Sequence, residues 1–260
     1  MDVIGHLSAD DDWVVDEHRT SEGVAILPGT GHLDLAITAL GQSAFAGRGV
    51  SDLLMIEPLV VPDGADVVVK VNVSNDEHGG SITIWSDRGD GLEWSLHSQA
   101  LVADQPSEAR SDRLDVDLGD AARSVDAMSA RRAGLRLGAH WDSVTTASTD
   151  GSVAIAELTL PAHLQSDVDA WSAHPGLVDV AIGVAIDLRE TPATTLMAPV
   201  AIESIVSNRP LPASVSVHAR RRDSAGDDMV VDLTLTGSGD APDAEPALAL
   251  HGLTLRDLGT

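Results

Sequence analysis

A pattern that recurs half a chain apart limits how this sequence can fold. Pro28-Gly29 precedes Asp34-Leu35-Ala36-Ile37, and Pro175-Gly176 precedes Asp179-Val180-Ala181-Ile182. The second aspartate lies about 145 residues beyond the first in a chain of 260, so two copies of one unit are expected. Each Pro-Gly reads as a turn that launches an apolar helix. His18 ends an extended segment just before the first turn. The first copy therefore offers a histidine and the second an aspartate.

The elements around these turns follow the same rhythm. Trp13–Val15 is expected to be extended and to deliver His18. Val24–Leu27 reads as a strand or buried extended segment. A helix is predicted from His32 to about Ala46, with Thr30 or Gly31 as its cap. Leu33, Ala36, Ile37 and Leu40 share one face, and Leu35 and Ala39 widen it, so this helix belongs inside the protein. Strand patterns follow at 54–61, 66–73, 81–85 and 93–102, separated by turn-forming clusters. After a stretch rich in Asp, Ser, Arg and Ala, with one short helix expected near 119–131, the order repeats. Strands are predicted at 141–146 and 152–160, a helix after Pro175-Gly176, and strands at 200–206, 213–221, 229–236 and 247–255. A buried helix followed by consecutive strands is not a βαβ repeat, so a parallel sheet is not expected. The halves are placed at 1–105 and 135–260, with a linker at 106–134.

Composition removes several function classes. The formal charge of −25 argues against a nucleic-acid partner, which requires clustered Lys and Arg. Without cysteine the chain has no disulfide, thiolate nucleophile or Cys-ligated metal, and a cytoplasmic location is expected. No apolar run approaches the roughly 18–20 residues of a membrane span. The ten histidines lack metal-ligand spacing, and no metal is predicted. Phosphate-binding loops, HExxH and GxSxG are absent. Tyr is absent and Phe45 is the only Phe, so an aromatic pocket wall must come from a tryptophan such as Trp141.

The motifs themselves resemble those of polyketide synthase dehydratase domains. Their first motif is His, three residues, Gly, four residues, Pro. Here His18, Gly23 and Pro28 follow that pattern, with one extra residue between His18 and Gly23. Their second motif places an Asp after His-Pro, then Gln or His four residues on. His174-Pro175-Gly176-Leu177-Val178-Asp179 matches, but Gly183 stands in the last position. Leu137-Gly138-Ala139-His140-Trp141 looks like their Tyr-Gly-Pro-x-Phe, with the glycine and an aromatic retained. The closing segment His251–Leu258 is similar to their last strand.

The resemblance implies an α+β double hotdog: two units, each a long helix wrapped by an antiparallel sheet. It implies removal of water from a β-hydroxyacyl thioester, with His18 as base and Asp179 as acid. The chemistry suits these residue types. Imidazole is a base that is neutral near pH 7, and a carboxyl kept protonated by apolar neighbours can protonate a leaving hydroxyl. Leu177, Val178, Val180, Ala181 and Ile182 predict such a raised pKa for Asp179. Backbone N–H groups near Gly23, or at Gly29–Gly31, are candidates to hold the thioester oxygen. Gly23, Pro28, Gly29, Trp141 and Gly183 are expected at the substrate. With Gly183, another group must orient Asp179, or the pocket is wider. Double-bond isomerisation, cyclisation or a non-catalytic scaffold remain alternatives. No resident cofactor is implied, because the substrate rides on the phosphopantetheine arm of an acyl carrier protein. Other synthase modules and a homodimer are implied partners. Arg131, Arg132 and Arg136, or Arg220–Arg222, could form a basic docking patch. His140 is expected to face solvent and His174 to hold the loop before the second helix.

Overall fold

The computed structural model describes residues 1–76, 79–87, 93–103, 118, 122–126, 128–132, 134–189, 195–222, 228–241 and 244–259. Alternating valines or isoleucines build strands such as Asp66–Asp76, Gly79–Asp87 and Ser214–Arg222. In β1 (Asp2–Ser8) a short helix, α1 (Trp13–Asp16), follows, then β2 (His18–Thr20) and the first long helix, α2 (Gly29–Gly41). Four strands succeed it: β3 (Gly49–Met55), β4 (Asp66–Asp76), β5 (Gly79–Asp87) and β6 (Trp94–Ala103). The connecting region contributes β7 (Arg123–Ser124), α3 (Ser129–Arg132) and β8 (Leu135–Leu137). Next come β9 (Val144–Thr149), β10 (Val153–Thr159) and the second long helix, α4 (Pro175–Ile186). The chain closes with β11 (Met197–Ser207), β12 (Ser214–Arg222), β13 (Met229–Gly237) and β14 (Leu248–Asp257).

Among the described residues, twelve strands form one antiparallel sheet in the order β1-β4-β5-β6-β3-β11-β14-β13-β12-β10-β9-β7. Strands of the first half meet those of the second where β3 pairs with β11, Val50 opposite Ile205 and Leu54 opposite Ala201. The sheet curls round both long helices. Every residue of α4 is buried, which its apolar sequence requires. Leu177, Ile182 and Ile186 alone contribute about 1.5–3 kcal/mol each on full burial. Pro175 starts this helix, where its missing N–H costs nothing. His174 caps it, its Nδ1 accepting from the Leu177 N–H at 3.3 Å.

The two copies touch through their matching turns. Asp34, buried in α2, accepts from the Ala173 N–H at 2.8 Å. Thr30 Oγ1 donates to the Pro175 carbonyl at 3.1 Å. Thr30 is therefore not a cap. Pro28 holds the N-cap position in extended conformation, with no side-chain cap.

Other local expectations shift. Trp13–Val15 is helical, because Asp12 opens a turn in which its carbonyl accepts from Val15 and Asp16. The first helix ends at Gly41, short of Ala46. The strand expected at 54–61 lies instead at Gly49–Met55. Beyond it, Leu59 and Val61 pair only with the extended segment at Ala25–Leu27. Trp141 sits in a 3-10 turn (Ala139–Trp141) rather than a strand. Of the helix expected near 119–131, residues 119–121 and 127 lie outside the described residues, as does most of the linker.

A small second sheet assembles the site. His18 in β2 pairs with Leu137 in β8, and Thr20 with Leu135. This brings the histidine of the first copy against residues that follow α3 and precede the Trp141 turn.

Candidate active site

His18 is buried, and its ring orientation is set locally. Its Nδ1–H donates to the Ile26 carbonyl at 3.0 Å, which leaves the lone pair on Nε2. Nε2 is buried and has no hydrogen-bond partner among the described residues. Burial pushes the imidazole down to about 4; Asp179 opposes the shift and Arg131 reinforces it. At neutral pH this ring is an uncharged base. Trp141 lies beside it, the ring centres 5.5 Å apart.

Asp179 projects from α4 and is fully buried. Trp141 Nε1–H donates to one carboxylate oxygen at 2.9 Å, and Arg131 Nη2–H donates to the other. Burial alone would raise the carboxyl. The Arg131 guanidinium, the facing His18 and the two hydrogen bonds outweigh it and hold the group below its usual value. The expectation of a protonated Asp179 is thus reversed, because an arginine stands inside the apolar shell. Arg131, only 3 % exposed, also donates from Nη1 to the Met197 carbonyl at 2.9 Å. Its place in the interior removes it from any surface docking patch. Of its neighbours in that proposed patch, Arg132 is exposed and paired with Asp142.

A cavity of about 230 Å³ opens beside this group. His18, Pro28, Gly29, His32 and Arg131 line it, with Met55 and Pro199 among its apolar walls. Gly23, Trp141, Asp179 and Gly183 do not line it, and Asp179 lies behind Arg131, to which it is bonded. Gly23 turns the chain at φ +91° and gives its N–H to the Thr20 carbonyl. Trp141 is fully buried behind His18 and Asp179, and Gly183 is buried within α4. The Gly31 N–H is also spent, on the Pro28 carbonyl at 2.8 Å. His32 was not anticipated at the site. Burial, with His97 nearby, lowers its imidazole to about 3, and Nδ1 lies 3.1 Å from Ser98 Oγ.

A second polar group backs the site. His140 does not face solvent: it is buried with Glu17 and Asp167 each 3.0 Å away and its ring flat on Trp13 at 3.8 Å. Burial opposes its protonation, but the two carboxylates prevail and hold it above the usual imidazole value. His174 stacks on Trp13 as well, and burial lowers it to about 4. Among the described residues no cluster has the composition of a metal site, and no helix is long and apolar enough to cross a membrane.

Two long helices, each wrapped by one half of a shared antiparallel sheet, define a double hotdog protein. Solved structures share this fold throughout the chain. The dehydratase domain from the CurF module of curacin polyketide synthase superposes with a TM-score of 0.85 at 19 % identity, covering 98 % of this chain and 93 % of that one. A dehydratase structure from work on the borrelidin and fluvirucin polyketide synthases gives 0.80 at 22 % identity, covering 100 % and 90 %. Family patterns described as "Polyketide synthase dehydratase domain" and "Polyketide synthase dehydratase N-terminal domain" match residues 3–87 and 105–259. The chain belongs to the polyketide synthase dehydratase family. Mycoketide-CoA synthase of Mycobacterium tuberculosis is 30 % identical over 186 residues, which is 67 % of this chain and 4 % of that protein. Polyketide synthase ThaG of Burkholderia thailandensis is 29 % identical over 206 residues, 72 % and 3 %. The chain thus corresponds to a small part of these relatives.

Proposed function

We propose that this chain dehydrates a β-hydroxyacyl thioester presented on the phosphopantetheine arm of an acyl carrier protein. His18 removes the α-proton and Asp179 supplies the acid for the departing β-hydroxyl. The observation that carries this reading is the His18 ring: neutral, fixed by Ile26, with a buried, unpartnered Nε2, in a residue that lines a largely apolar cavity. Asp179 rests as a carboxylate under Arg131 and Trp141, so dehydration requires it first to take a proton from solvent; once water has left, the α-proton held by His18 passes to Asp179 and restores the pair. The reading needs no resident cofactor.

The same ion pair favours a second reading. Moving a double bond within an unsaturated chain requires a base that carries one proton and a donor at the thioester oxygen, but no acid for a leaving hydroxyl.

Mass spectrometry of carrier-bound β-hydroxyacyl chains separates the two. Dehydration predicts a loss of about 18 Da, abolished by His18→Ala and by Asp179→Asn. A folded parent protein that never releases water, yet moves the double bond of an enoyl chain, refutes dehydration in favour of isomerisation.

A further inference from the structure

We propose that Arg131 is a catalytic residue whose Nε–H binds the thioester carbonyl oxygen of the acyl chain. The proposal rests on the reading of His18 as the base. Two of the three guanidinium nitrogens have partners: Nη1 the Met197 carbonyl, and Nη2 the Asp179 carboxylate. The third, Nε, is buried with no partner among the described residues. The side chain lines the same cavity as His18, whose Nε2 is likewise buried and unpartnered. Two residues that line the cavity therefore each keep a buried nitrogen unused, a proton acceptor on His18 and a proton donor on Arg131. A buried cationic donor left without an acceptor is costly, and the main chain and Asp179 fix this guanidinium so that it cannot swing away. An oxygen arriving with the ligand would complete the set.

Carbon-acid chemistry identifies that oxygen. When His18 Nε2 takes the α-proton, the C–H electron pair forms the C1–C2 double bond. The carbonyl π pair then moves onto oxygen, where negative charge develops. A preorganised cation at that oxygen acts mainly on the transition state. Backbone alternatives are few: the N–H groups of Gly23 and Gly31 are taken by carbonyls, leaving Gly29 as the candidate at the cavity wall.

The test isolates proton abstraction from loss of water. A short saturated acyl-pantetheine thioester, which has no β-hydroxyl, is incubated with the full chain in deuterium oxide, and α-hydrogen exchange is followed by NMR. His18 transfers the proton to solvent and returns a deuteron, so no acid is needed. Exchange should vanish in His18→Ala and persist in Asp179→Asn. Arg131→Met alone leaves Asp179 buried and unpaired, which threatens folding. The comparison is therefore between Asp179→Asn and the double variant Arg131→Met/Asp179→Asn, each checked by thermal melting. Removing Arg131 on that background should slow exchange about 10²–10³-fold. Equal rates in the two folded variants overturn the proposal and assign the oxygen to Gly29. A parent protein that catalyses no exchange overturns it as well. If exchange depends on Arg131 but β-hydroxyacyl chains lose no water, Arg131 stands and the dehydratase reading falls.

Discussion

Mild acid should destabilise this fold through its buried histidines. Three histidines are buried uncharged: burial holds His18 at about 4, His32 at about 3 and His174 at about 4, against an ordinary value of 6.5. A group whose folded pKa is depressed contributes stability that is complete above its unfolded pKa and lost as pH falls toward its folded pKa. The window here therefore opens near pH 6.5 and extends to about pH 4. Between pH 8 and pH 5 each ring withdraws about 2 kcal/mol, about 6 kcal/mol together. Asp34 works in the opposite sense. Burial raises it to about 6 in spite of the Ala173 and Ser172 N–H groups, so acidification relieves a charged burial worth about 1–1.5 kcal/mol. These four groups give a net loss of about 4–5 kcal/mol, a large share of a typical stability of about 5–15 kcal/mol, and Asp187, which burial also raises to about 6, and His140, held above its usual value, offset part of it. Urea unfolding at the two pH values, extrapolated to water, measures it directly. His18→Gln, which cannot titrate, should reduce the pH-dependent difference by about 2 kcal/mol. Equal stability at pH 8 and pH 5 would refute the claim that these rings are held neutral by burial.

Further perturbations address the placement of Asp179. In Gly176→Ala the new Cβ would stand 2.7 Å from the backbone carbonyl oxygen of His140, which has no side-chain rotamer to relieve it. Thermal melting should report a loss of about 1–3 kcal/mol, as for other overpacked sites. Trp141→Phe removes the 2.9 Å hydrogen bond to the carboxylate and should cost about 1.5–3 kcal/mol in urea unfolding. The carboxyl pKa should also rise, which carbon-13 NMR of Asp179 would show. The pH profile of kcat/KM should keep its acidic limb near 4, where burial places His18, and an acidic limb at 6.5 would contradict that assignment.

Much of the fold can be read from the local sequence, and the exceptions have physical causes. Strands β4, β5 and β12 follow valine or isoleucine alternation, and α4 follows its Pro-Gly start and unbroken apolar run. The segment 54–61 misleads because Leu53-Leu54-Met55-Ile56 and Leu59-Val60-Val61 look like one strand. Pro58, which has no N–H to donate, sits between them. The first part joins the sheet and the second crosses to Ala25–Leu27. At Trp13–Val15 the β-branched pair suggests extension, but Asp12 turns the chain and accepts the Ser8 N–H at 2.9 Å. His18 and Asp179 stand out through their motifs. Arg131 does not: Arg131-Arg132 in a polar stretch looks like solvated charge. Its burial depends on a carboxylate 48 residues downstream, a distance at which local pattern carries no signal.

The β2–β8 ladder has a consequence for the order of synthesis. His18 is held by Leu137, and the carboxylate it faces is supplied only by α4. Ribosomes add about 5–20 residues per second, so roughly 160 residues of further translation leave the histidine waiting about 8–30 s for its partner. During most of that interval the nascent first half has His18 without its paired strand β8, and throughout it lacks the aspartate. The buried group around His18 is thus completed only when the second half has been made.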